Sequence, residues 1–114
     1  MTSQGSASGR FTRADQTRNL FMAEVALKEM GNPSLLLALE YLQLLVTEKP
    51  AKFPLAALRF HGRLELEAVT LSLAESQLAL SALIAMGEGD AESVDILRRL
   101  LRKVGPTLIR RIGN

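Results

Sequence analysis

PSLLLALEYLQLLVTE, residues 33–48, is the stretch that decides the fold. Ten of its sixteen residues are Leu, Ala, Val or Tyr. Its polar side chains Glu40, Gln43 and Thr47 fall at i, i+3 and i+7. On the helical period those three make one narrow solvated stripe, and the rest of the surface is apolar. A helix that is apolar on nearly every side belongs in an interior. The segment is therefore expected to be the second and central helix of an all-α domain, with the other helices laid against it.

Outward from this stretch, breakers delimit four more helices. Upstream, residues 13–30 carry Phe21, Met22, Val25 and Ala26 on one face, extended by Leu20, Ala23, Leu27 and Met30. Thr12 is the expected cap of this first helix. Gly31 ends it, and Asn32-Pro33 starts the next with proline in the first turn. Downstream, Lys49-Pro50 stops the central helix. A third helix is expected over about 54–69, with Leu55, Leu58, Gly62, Leu66 and Val69 as its buried stripe. Gly62 in that stripe implies close approach of another helix.

Ser72-Leu73-Ala74-Glu75 reads as a capping box. It opens a fourth helix over about 73–86, rich in small residues and stopped by Gly87 and Gly89. Asp90 caps a fifth over about 91–104, with Val94, Leu97, Leu101 and Val104 facing inward and Gly105-Pro106 ending it. Residues 1–10, MTSQGSASGR, offer nothing to bury and are expected to form a disordered arm. Residues 11–114 then make a single compact helical domain of about five helices.

Composition agrees. Apolar residues make up 47% and aromatics only 4%, so Leu and Ala carry the core, which favours helix over sheet. The chain has no Cys, which excludes disulfides, thiol catalysis and Cys-ligated zinc. No signal-peptide pattern is visible at residues 1–10, and no apolar run reaches the ~20 residues of a membrane span. The expectation is a cytoplasmic protein that does not enter a membrane.

No catalytic residues are assigned. The one histidine, His61, sits beside Arg59 and Arg63 with Glu65 at i+4, off the apolar stripe, and reads as a surface side chain. Glu88, Asp90 and Glu92 read as helix-cap acids rather than a calcium loop, so no metal and no cofactor is expected. Gly87 and Gly89 lack the lysine and spacing of a phosphate loop.

Two functional readings remain. The first is a non-enzymatic binding module that takes a protein partner or itself as a homo-oligomer. Its motive is surplus apolar surface, with Phe11, Leu108, Ile109 and Ile112 as interface candidates at the chain's ends. The second is contact with DNA or RNA backbone. Net charge is +2, yet Arg98, Arg99, Arg102, Lys103, Arg110 and Arg111 make residues 98–114 +6 against −4 for the rest. Such a cluster could neutralise phosphates. It also sits where the helix macrodipole favours cations.

Overall fold

The computed structural model describes the backbone of residues 6–113 and the side chains of residues 6–104. The described residues form six α-helices and no strand. In order they are α1 (Ala7–Gln16), α2 (Leu20–Met30), α3 (Leu35–Glu48), α4 (Phe53–Glu67), α5 (Leu73–Gly87) and α6 (Glu92–Gly113), with a 3-10 turn at Pro50–Lys52 before α4.

The central helix is where the pattern of residues 33–48 puts it. α3 contacts every other helix, and Leu35, Leu39, Leu42, Leu44 and Leu45 are buried. Ser34 rather than Asn32 caps it, accepting from the Leu37 N–H at 3.2 Å. Its polar stripe is used for docking. Arg98 of α6 donates to Glu40 at 3.3 Å and to Gln43 at 3.2 Å.

The expected first helix is two helices. Thr17 ends α1 with its hydroxyl bonded to the Arg13 carbonyl, and Arg18 turns left-handed at φ 55. The Arg18 N–H then reaches Asp15 O and the Asn19 N–H reaches Ala14 O at 2.8 Å. These two bonds are a Schellman close, with Arg18 at the position glycine usually takes. Asn19 immediately caps α2 by accepting from the Met22 N–H. Helix α1 also starts earlier than the sequence suggests. Ser6 caps it by accepting from the Gly9 N–H, so residues 7–10 of the expected arm are helical. The α1–α2 hairpin seals a second small core of Phe11, Ala14, Ala23 and Ala26 against Leu44 of α3.

The main core joins α3, α4, α5 and α6. Leu39, Leu45, Phe60, Leu64, Ala79, Leu83, Leu97 and Val104 are among its most deeply buried residues. The small residues of α5 allow the close approach that their size suggests: Ser76, Ala79 and Ala82 are all buried. Both reciprocal bonds of the Ser72–Glu75 capping box form, at 3.0 and 2.9 Å. Removing that cap as Ser72→Ala costs about 0.5–2 kcal/mol, read as a drop in the urea midpoint at constant m. Helix α6 runs past Gly105-Pro106. Proline withholds one backbone N–H, but its φ is helical, so the chain continues one bond short.

The molecule measures 41 × 38 × 20 Å. Twenty ångströms is about two helix layers. In so thin a slab a helix can be covered on its inner side and bare on its outer one, and α4 is such a helix.

Candidate interaction surface

Helix α4 carries two apolar stripes. Phe53, Ala57, Phe60 and Leu64 are buried, and Ala68 just beyond the helix end continues them. The stripe expected to be inside faces outward. Leu55 is 56% exposed, Leu58 63%, Leu66 78% and Val69 55%. The physical reason is volume. Two phenylalanines fill the space over α3 better than a stripe interrupted by a glycine, and a two-layer slab has no partner for the other side.

Gly62 lies in the middle of the outward stripe. A Cβ built on it meets nothing within 4 Å. The expected contact with another helix inside the chain is therefore absent, and overpacking of the core by a larger residue does not arise. In dilute solution Gly62→Ala raises stability by up to about 1 kcal/mol, through helix propensity and the stiffer unfolded chain. A lowered thermal midpoint would contradict the open position.

Helix α5 runs antiparallel beside α4. Phe53 at the start of α4 lies against Gly87 at the end of α5, and His61 meets Ser76 in between. On α5, Leu73 is 88% exposed, Leu80 39% and Ile84 58%. Their spacing of i, i+7 and i+11 is one helix face. The spacing is present in the sequence, but the small residues between these positions obscure it. Leu58, Leu80 and Ile84 rim an apolar groove of about 360 Å³ floored by Phe53, Ala57 and Leu83. The outer stripes of α4 and α5 thus meet at this groove through Leu58, Leu80 and Ile84.

His61 is not the solvated residue the sequence suggests. Its Nε2 lies 3.1 Å from both the carbonyl and the hydroxyl oxygen of Ser76. A carbonyl only accepts, so Nε2 carries the hydrogen. The Ser76 hydroxyl in turn donates to Glu65 at 2.6 Å. A serine, a histidine and a carboxylate therefore meet, but with the polarity of a clip. The nucleophile's proton goes to Glu65, and the imidazole nitrogen beside it is a donor, the reverse of a catalytic triad. The three groups tie α4 to α5, with the Glu65 carboxylate half exposed. Among the described residues no group of three His, Asp or Glu is placed to hold a metal.

On the other edge of α4 a cleft of about 690 Å³ opens toward the α2–α3 corner, lined by Leu27, Tyr41, Leu55, Arg59 and Phe60 among others. At its rim Tyr41 donates to Glu24 at 2.7 Å, and Lys52 donates to the same oxygen at 2.7 Å. Burial works to raise the Glu24 carboxyl, but the bonds from Lys52 and Tyr41 outweigh it and hold it below the ordinary range. Burial and the bond to Glu24 push the Tyr41 phenol well above its ordinary value of 10. Tyr41 is the sole tyrosine and there is no tryptophan, so its ionisation is read directly by ultraviolet absorbance. No phenolate signal should develop near pH 10 in the folded protein, and Glu24→Gln should bring the transition back toward it. The sign follows from linkage. Tyr41's contribution to stability is complete below pH 10 and fades as pH rises toward its folded value. That of Glu24 is complete above the ordinary carboxylate range and fades as pH falls through its depressed value.

The other residues singled out by sequence are dispersed. Phe11 is 1% exposed and belongs to the second core, so its side chain is not at a surface. Arg98 is held by Glu40, Gln43 and Asp95, and Lys103 pairs with Glu75. Arg99 and Arg102 are exposed. The side chains of Leu108, Ile109, Arg110, Arg111 and Ile112 lie outside the described residues. No protein-family model, curated protein or solved structure matches this chain. No helix among the described residues is long and apolar enough to cross a membrane.

Proposed function

We propose that this protein is a non-enzymatic helical interaction module that self-associates through the outer face of α4 and α5. One observation carries the reading. Seven large apolar side chains on that face, Leu55, Leu58, Leu66, Val69, Leu73, Leu80 and Ile84, are each more than a third exposed. Scattered apolar residues are ordinary on a surface, whereas a contiguous patch of several hundred Å² marks an interface. At ~100 Å² for a fully exposed side chain, these seven, which are 39–88% exposed, offer on the order of 400 Å². That is about half of the ~800 Å² per partner of a standard stable interface, whose remainder is polar rim.

The His61–Ser76–Glu65 clip fits this role, since it fixes the angle between the two helices that carry the face. Sedimentation velocity of the native chain at micromolar concentration tests the proposal. A species heavier than the monomer is expected; a strict monomer throughout that range would remove it.

The second reading, nucleic-acid backbone contact through Arg99, Arg102 and the tail, draws support from the exposure of those two arginines. It is weakened by the pairing of Arg98 and Lys103 with acids of α3 and α5. Phosphates would have to displace those partners. Gel retardation at about 50 mM salt decides it, because phosphate contacts are strongest at low salt.

A further inference from the structure

We infer that two copies of this chain pack α4 against α4 in antiparallel fashion, with Gly62 of each copy at the two-fold axis. The inference rests on the self-association reading above and adds the geometry. Gly62 is the midpoint of the exposed stripe. Leu58 and Leu66 stand four residues to either side of it, and Leu55 and Val69 stand seven to either side. A two-fold axis through Gly62 and across the helix therefore lays Leu58 on Leu66 of the second copy. Leu55 then lies toward the second copy's turn at Ala68–Val69, just beyond the end of its α4 at Glu67.

Glycine at the crossing point has no structural task within one copy. It sits inside a helix, its φ is not positive, and a side chain there would touch nothing. Between copies its missing side chain lets the two backbones approach closely.

The direction of pairing follows from what flanks α4. The exposed stripe of α5 lies along one edge, and the cleft rimmed by Lys52, Arg59 and Arg63 lies along the other. An antiparallel two-fold keeps like edges together, so the α5 stripes cover each other and the four helices form a bundle. A parallel two-fold would swing each α5 stripe onto the other copy's polar edge, where the Lys52–Glu24 and Arg63–Glu67 ion pairs lie, and leave it poorly covered.

The chain has no native cysteine, so single-cysteine variants report the geometry directly. In the antiparallel arrangement the two copies of position 58 are about eight residues apart along the axis, ~12 Å, beyond the ~7 Å Cα limit for a disulfide. Position 58 of one copy is adjacent to position 66 of the other. Under a glutathione redox buffer, a mixture of Leu58→Cys and mass-tagged Leu66→Cys chains should give the mixed cross-linked dimer, and neither variant alone should cross-link. Self-cross-linking of either variant alone would overturn the arrangement. So would absence of any cross-link in chains that sedimentation finds associated, and that result would leave self-association itself standing. A monomeric native chain would remove both. As a second measurement, Gly62→Leu should weaken association at least tenfold without lowering the melting temperature of the dilute monomer. Unchanged association would exclude a crossing at Gly62.

Discussion

Leu39→Ala should remove about 2–5 kcal/mol of folding stability, the range for emptying a fully buried leucine site. Leu39 is 0% exposed and lies on the helix that touches all the others. Its methyl groups cannot be replaced by the collapse of one mobile neighbour, because several helices would have to shift together. A domain of this size holds roughly 5–15 kcal/mol in total, so the variant should lose a large share of its margin. The measurement is urea unfolding at matched protein concentration. The midpoint should fall with the slope unchanged, since the surface exposed on unfolding is nearly the same. Leu36→Ala is the control: Leu36 is on the same helix but 51% exposed, and its loss should stay within about 0.5 kcal/mol. Equal losses at both positions would mean that α3 is not seated as described.

What the sequence could show about α3 and what it could not show about α4 have the same origin. In α3 the polar residues occupy a single narrow stripe, so periodicity alone names the side that meets water. Even that side turned out to be half-buried, docked to Arg98. In α4 both sides are apolar, and a period of 3.6 cannot rank them. The Leu-rich stripe looked like a core, but Phe53 and Phe60 fill more volume. The tertiary packing of a thin slab, which no local pattern encodes, decided the matter. Gly62 implies a close helix contact by sequence, and within the chain there is none.

The capping signals hold at Ser72, Glu75 and Asp90 but not at Thr12, which lies inside α1 with its hydroxyl bonded to the Ser8 carbonyl. The break between α1 and α2 was hidden because Arg18, an ordinary helix former, holds the left-handed position. The candidate face was legible only in part. Composition implies surplus apolar surface; of the candidates at the chain ends Phe11 is buried and the side chains of Leu108, Ile109 and Ile112 lie outside the described residues, while the exposed stripes of α4 and α5 are not among those candidates. The clip at His61 was missed because Ser76 is distant in sequence, and nothing in either helix alone announces the other.

The second large effect concerns Leu58→Glu and Leu66→Glu. Both positions are at least 63% exposed in the isolated chain. A carboxylate there is hydrated, so the monomer's stability should change by no more than about 0.5 kcal/mol. In the associated form the same carboxylates would be desolvated at the centre of an apolar contact without partners. Losses of ~2 kcal/mol or more per central side chain are usual at such positions, corresponding to roughly 30-fold weaker association each. The double variant should therefore be a folded monomer. Had these leucines been the inward stripe of α4, as the sequence pattern suggests, the same substitutions would bury two charges in the core and unfold the domain.

The most direct measurement is sedimentation equilibrium of the native chain and the Leu58→Glu/Leu66→Glu double variant side by side at micromolar concentration, with a circular-dichroism melt of each. The native chain should sediment as a dimer or larger assembly. The variant should be a monomer with full helical signal and a cooperative melt. An unfolded variant would contradict the outward placement of the α4 stripe, and a variant that associates as tightly as the native chain would contradict its role as the interface.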